Sequence, residues 1–384
     1  MAEHSYISPS SLPRIKRCPL SLSVNQASGG GENTAAMEGT TAHWLGEQIL
    51  RSYLPGSTTG ILQFCQFVGT VCPETSMVIT EEMCAFVNTY VDHVLKVVNK
   101  NGALQTLWIE ERVDIPQIHP QCWGTLDCAI YLPKVYTLII LDFKYGFNLV
   151  EPDSEQLMAY ASGMVTKLNL PPETRIVLSV VQPRAYHRLG PVRDWMTTAG
   201  DLRAEINYIG SKVHEAMQPN PPATSGSHCR YCAYLPVCPT AREASYNAVQ
   251  VSSRDNTADE LDNARLAYEL DVLEQAQESL KMRYAALEEM GTQRIKGGEV
   301  IPGYSCVPKY GKRKWLKTDE EVIALGNILG VDLSSRGTVT PAEAERLGVN
   351  KDMVKKLTET PNTGVKLKRD NHSIAKLIFS KEVN

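Results

Sequence analysis

The chain has 384 residues, of which 43% are apolar and 21% charged, and a formal net charge of −4. This is the composition of an ordinary globular protein long enough for two or three domains. No run approaches the ~18 apolar residues of a membrane span and the N-terminus lacks an apolar signal core, so a membrane partner is excluded and the expected location is the cytoplasm. There, ten cysteines are expected as free thiols or metal ligands rather than disulfides. Charge is unevenly spread. Residues 291–384 carry 17 Lys+Arg against 11 Asp+Glu, a balance of +6, leaving 22 against 32, or −10, in the rest. A basic tail on an acidic body can meet a phosphate backbone; it can equally be a solvated basic surface.

Residues 1–31 are polar and turn-rich, with a short helix starting near Ser8-Pro9 and carrying Cys18-Pro19, then a Gly29-Gly30-Gly31 loop. A helix is predicted over 34–53, stopped by Pro55-Gly56, with Glu47 one turn after His43 on the same face. Residues 55–79 read as irregular. Thr80 caps a helix that runs to Asn99 on an apolar stripe from Met83 to Val98 and ends at Asn101-Gly102.

A strand is predicted over 104–114, and the stretch Gly124–Gly146 supplies two more, joined at Pro133-Lys134. The apolar run Leu138-Ile139-Ile140-Leu141 suits a central strand buried on both faces. It ends in Asp142-Phe143-Lys144, and alternation places Asp142 and Lys144 on one face and Phe143 on the other. Asp127, on the preceding strand, can point to the same spot. Two carboxylates can hold a hard divalent cation, and a lysine beside them can position a water or offset charge on a phosphate. Asp-x-Lys alone is common on solvated strand ends, so its meaning depends on its company.

Further on come a helix over 153–167 with Gln156 and Tyr160 one turn apart, a buried strand over 174–181 closed by Gln182-Pro183, and a helix over 201–217. A long helix over 257–290 has Leu266, Leu270, Leu273, Leu280, Tyr284 and Leu287 on one side, expected to pack on the core, with Gly291 past its end. Beyond it, Lys309-Tyr310-Gly311-Lys312-Arg313-Lys314-Trp315 mixes cations with aromatics, followed by short helices, one started by Thr340-Pro341. The fold class is α/β with a mixed sheet. The predicted division is a core at 1–240, a long helix at 241–291 and a small basic, mainly helical region at 292–384.

Cys229-x2-Cys232-x5-Cys238 offers three thiolates, and a tetrahedral zinc or an iron–sulfur cluster needs four. Cys18, in a polar turn before a proline, is the best fourth. Cys84, Cys122 and Cys128 read as packing thiols, and Cys65, Cys72 and Cys306 have no second cysteine close by. Spacing leaves zinc and iron–sulfur open, with zinc the default.

Taken together, these residues resemble the PD-(D/E)XK nuclease superfamily, and within it RecB-type nucleases with an iron–sulfur cluster, such as the AddB nuclease domain and the CRISPR-adaptation exonucleases, in their phage-encoded form. The likeness spans roughly residues 5–240. It rests on His43, Gly124-Thr125-Leu126-Asp127, Asp142-Phe143-Lys144, Gln156 and Tyr160 in that order, with one cysteine before these motifs and three after. The proline of the superfamily's name is absent, since Leu141 precedes Asp142. The resemblance implies a restriction-endonuclease-like core. It implies Mg2+ or Mn2+ on His43, Asp127, Asp142 and the Phe143 carbonyl, and catalysis by Asp127, Asp142 and Lys144 with Gln156 and Tyr160 in support. It also implies a 4Fe–4S cluster on Cys18, Cys229, Cys232 and Cys238 in place of zinc.

The implied activity is a DNA exonuclease in phage or recombination DNA processing in a host cytoplasm, acting on DNA, with single-stranded DNA a candidate form, beside recombination or replication proteins. Lys312, Arg313, Lys314 and Trp315 are candidate DNA contacts by charge and stacking. Two other readings stay open: a catalytically silent DNA-binding partner, and a zinc-stabilised interaction protein.

Overall fold

The computed structural model describes residues 5–26, 34–103, 106–252, 263–311, 313–334 and 338–369. It divides into two compact units, Met1–Ser279 and Leu280–Asn384.

The first unit starts with two short helices, α1 (Leu12–Arg17) and α2 (Ser21–Gln26), followed by α3 (Thr34–Ser52) and α4 (Glu81–Asn101). Thr80 caps α4 by accepting from the Met83 amide, and Gly102 ends it in the left-handed conformation, as the sequence predicts. Then come β1 (Leu107–Asp114), β2 (Trp123–Leu132), β3 (Thr137–Phe143), α5 (Glu155–Lys167), β4 (Arg175–Val181), β5 (Val192–Thr198), α6 (Ala199–Ala216) and α7 (Pro239–Ser252). The five strands form one mixed sheet in the order β1-β2-β3-β4-β5, in which only β3 and β4 are parallel. β5 and α7 have no counterpart in the sequence reading. β5 is an edge strand of sequence VRDWMTT, with too few apolar positions to declare itself.

One hydrophobic core lies between the sheet and α3/α4 and a second between the sheet and α5/α6. β3 runs through the middle, so Leu138 and Ile140 face one core while Leu141 and Phe143 face the other, all fully buried. α5 lies close on β1: a Cβ added at Gly163 would stand 3.0 Å from the Asp114 carbonyl.

α8 (Asn263–Lys296) crosses the division between units. It runs through Gly291, at a helical cost of about 1 kcal/mol, and stops at Gly297-Gly298, where Gly298 takes φ +90°. The stripe from Leu266 to Leu287 is exposed, not packed as expected. The second unit continues with β6 (Tyr304–Tyr310), β7 (Lys314–Trp315), α9 (Asp319–Leu329), α10 (Pro341–Arg346), α11 (Lys351–Lys356), β8 (Thr358–Glu359) and β9 (Asn362–Arg369). It is mixed rather than mainly helical, with β6 paired to β9 and β7 to β8. Its strands are short and rich in Lys, so they lack the apolar alternation that marks a strand. Thr340 and Pro341 begin α10 as predicted. Among the described residues no helix is long and apolar enough to cross a membrane.

Candidate metal centre

The β2–β3 ladder ends at Cys128↔Leu141, and the next residues in register are Asp127 and Asp142. The β1–β2 ladder passes from Ile109↔Cys128 to Glu111↔Leu126, omitting Glu110 opposite Asp127. Glu110, Asp127 and Asp142 therefore form one row across three strands, where backbone pairing is interrupted on both sides of Asp127. The Asp127 carboxylate takes over a lost ladder acceptor: the Phe143 amide donates to Oδ2 at 2.6 Å.

α3 brings His43 to this row. Its Nδ1 lies 3.4 Å from Asp127 Oδ1 and 3.7 Å from Glu110 Oε1. The ring sits 5.3 Å from that of Phe143, which is itself stacked on Tyr90 of α4 at 4.8 Å. Ligand atoms of His43, Glu110 and Asp127 lie within 4.8 Å of one another, a set able to hold a metal ion. Burial alone would lower the His43 pKa, but the adjacent Asp127 and Glu110 carboxylates raise it to about 10. Burial pushes the Glu110 carboxyl up, against the pull of His43. Burial also disfavours the Asp127 carboxylate, but His43, Lys144 and the Phe143 amide outweigh it and hold its pKa low.

Asp142 is buried, and its Oδ1 accepts from the Lys144 ammonium at 3.1 Å. Its Oδ2 lies 2.9 Å from the same ammonium but accepts no hydrogen bond. Burial raises the Asp142 pKa, and the charge of Asp127 raises it further against the pull of Lys144. The Lys144 pKa is raised too, with Asp142 and Asp127 overcoming the effect of burial. The sharing of one face by Asp142 and Lys144 is as the alternation predicts.

Tyr160 is buried on α5, hydrogen-bonded to Gln156, with its pKa raised chiefly by burial and then by Asp127 and Asp142. Among the described residues no hydrogen bond joins Lys144 to Gln156 or Tyr160. Tyr160 packs beside Gly124 instead: a Cβ there would lie 3.0 Å from the Tyr160 hydroxyl and 2.8 Å from Pro9 Cδ. Glu47 and Glu38, the acids flanking His43 in sequence, turn elsewhere, to Arg51 at 2.6 Å and Arg184 at 2.9 Å.

Two residues are not fixed by the sequence reading. In sequence, Glu110 and Glu111 are two acids on one strand, of which one can assist the site, with surface charge the safer reading; that Glu110 is the one in the row depends on strand register. Gln182, fully buried, donates to the carbonyls of Gly146 at 2.9 Å and Asn148 at 2.7 Å. It accepts from the Val150 amide at 3.2 Å and from Arg193 Nη2 at 2.8 Å. That network fixes the loop leaving Lys144, and its only sequence signal is a polar residue closing an apolar strand.

Cys18, Cys229, Cys232 and Cys238 line one cavity together with Arg14 and His228. The Leu20 amide donates to the Pro222 carbonyl at 3.1 Å, and Thr224 Oγ1 donates to the Arg17 carbonyl, so the start of the chain is tied to the segment after α6. Burial would raise the Cys18 pKa, but hydrogen bonds from His228 and the backbone lower it. Among the described residues, the metal-ligating side chains found clustered within 4.8 Å are His43, Glu110 and Asp127, not these cysteines. Cys84, Cys122 and Cys128 are buried packing thiols, as expected.

The candidate DNA contacts are partly engaged in the second unit. Arg313 pairs with Glu345. Trp315 is half-buried against the small core, and its indole N–H donates to the Val339 carbonyl at 2.8 Å. Lys314 is exposed, and Lys312 lies outside the described residues.

A family model described as "Protein of unknown function (DUF2800)" matches residues 4–363. The chain belongs to the DUF2800 family. DUF2800 membership covers both the row of acids and the cysteine cavity, and extends through most of the second unit. A solved structure described as "Crystal structure of SSO0001" is similar at 11% identity and a TM-score of 0.30, covering 62% of this chain and 88% of that one. A TM-score that low carries no weight for fold or function.

Proposed function

We propose that this DUF2800 protein is a metal-dependent deoxyribonuclease with a restriction-endonuclease-like core. One observation carries the reading: acids from adjacent strands, an imidazole and a lysine gather where the sheet ladder opens, with ligand atoms of His43, Glu110 and Asp127 within 4.8 Å of one another. Buried carboxylates side by side need a cation. The donor set of one imidazole and several carboxylates fits a hard divalent ion, and the nitrogen admits Mn2+ as well as Mg2+. His43, Asp127, Asp142 and the Phe143 carbonyl would hold it.

The ion, when bound, supplies positive charge to a phosphodiester that gains negative charge as it is hydrolysed. Lys144, fixed by Asp142, orients the attacking water and stabilises the same charge. Asp127 pins the end of β3 through the Phe143 amide, so the Lys144 backbone stays in register. Tyr160, hydrogen-bonded to Gln156, sets α5 beside Gly124 of β2.

The resemblance favours a structural 4Fe–4S cluster over zinc on Cys18, Cys229, Cys232 and Cys238, which line one cavity. The group would close a loop of some 200 residues between Cys18 and Cys229, where a crosslink restricts the unfolded chain most. The substrate is DNA, and exonuclease action in phage or recombination DNA processing is the reading favoured by the resemblance. The test is degradation of end-labelled DNA in Mg2+ or Mn2+ by the full chain, with Asp142→Asn and Lys144→Ala as controls that lose it.

A further inference from the structure

We propose that Glu110 is a ligand of the cation at this centre and that Arg51 is the positioning residue that aims it. The inference rests on reading the centre as a divalent-metal site.

Glu110 has φ +45° in the interior of β1. That left-handed conformation is unfavourable for a long side chain and persists only where its surroundings impose it. Leu107 and Ile109 face the α3/α4 core while Trp108 packs against the α5/α6 core. Strict alternation would send Glu110 to the face of Trp108, away from α3. The left-handed turn reverses this and brings the carboxylate 3.7 Å from His43 Nδ1.

The same turn removes the ladder pair between Glu110 and Asp127. Arg51 secures the backbone just before it: Nη2 donates to the Ile109 carbonyl at 2.9 Å, and Nε is held by Glu47 at 2.6 Å. His43, Glu47 and Arg51 are spaced four residues apart along one face of α3. One helix face therefore supplies the imidazole and the clamp on the strand that supplies the carboxylate. The strained turn completes a set of three ligand atoms, from His43, Glu110 and Asp127, within 4.8 Å of one another, which a shared cation accounts for.

The experiment uses the full chain and Mn2+ alone as the probe, with affinity from electron paramagnetic resonance titration. Glu110→Gln should weaken Mn2+ binding by roughly 10–100-fold, and Arg51→Met by about tenfold. The double variant should bind no more weakly than Glu110→Gln, because both act through one carboxylate. Glu110→Gly should melt about 2–4 °C higher without metal, since the strain is relieved, and should lose most of the rise in Tm that Mn2+ gives the wild type. If Glu110→Gln binds Mn2+ like the wild type while Asp127→Asn does not, Glu110 is no ligand and the metal centre stands without it. If only Arg51→Met is without effect, the positioning role falls. If the folded wild type binds no Mn2+, the metal centre itself is wrong and this inference goes with it.

Discussion

Asp127 and Asp142 stand opposite one another at the first position past the end of the β2–β3 ladder. Two acids in register, one buried and one half-buried, would repel if nothing lay between them. The Lys144 ammonium and the Phe143 amide offset part of that cost, and a divalent ion would offset the rest.

The pH dependence of metal binding follows from His43. Its folded-state pKa, about 10, is above its ordinary 6.5. Without metal, its ion pairs therefore stabilise the fold fully below pH ~6.5, and that contribution is lost as pH rises toward about 10. A metal needs the neutral imidazole, so binding must expel a proton. Apparent Mn2+ affinity should rise up to tenfold per pH unit between pH 7 and 9, with close to one proton released in calorimetry across buffers of different ionisation enthalpy. His43→Gln should flatten the slope.

Gly124→Ala should destabilise the protein by about 1–3 kcal/mol, the usual cost of forcing a methyl into a packed site. The new Cβ meets the Pro9 ring at 2.8 Å and the Tyr160 hydroxyl at 3.0 Å. Denaturant unfolding of the variant against the wild type measures it; an unchanged midpoint would mean the N-terminal segment does not pack there.

Gln182→Leu should cost about 2–4 kcal/mol. It leaves the Gly146 and Asn148 carbonyls, the Val150 amide and the buried Arg193 guanidinium short of partners. Hydrogen exchange should also quicken in residues 146–150, which follow Lys144, before it changes elsewhere in the sheet.

Protein purified without oxygen should be brown and carry iron. Alanine at Cys18, Cys229, Cys232 or Cys238 should remove the colour and much of the soluble yield, whereas Cys122→Ala should keep the colour. Metal analysis showing stoichiometric zinc in a colourless wild type would overturn the iron–sulfur reading.

Much of this was legible because the signals are local. Thr80 and Gly102 bound α4 through their own cap geometry, and period-2 alternation alone pairs Asp142 with Lys144. Glu110 was legible only as one of two strand acids, because its backbone conformation and its place beside Asp127 are set by cross-strand register and by Arg51 on a distant helix. Gly291 misled because one glycine is a weak helix stop, while Gly298 with positive φ is a strong one. Trp315 beside cations resembles a stacking residue in sequence, and only tertiary structure shows it half-buried in a small core.

The most direct test is hydrolysis of labelled DNA by purified, folded protein, with and without Mg2+ or Mn2+, for wild type, Asp142→Asn and Lys144→Ala. The account predicts metal-dependent release of nucleotides by the wild type and a rate at least 10²–10³-fold lower, an order-of-magnitude figure, in each variant. Equal rates in all three, or no hydrolysis by metal-loaded wild type, would contradict it.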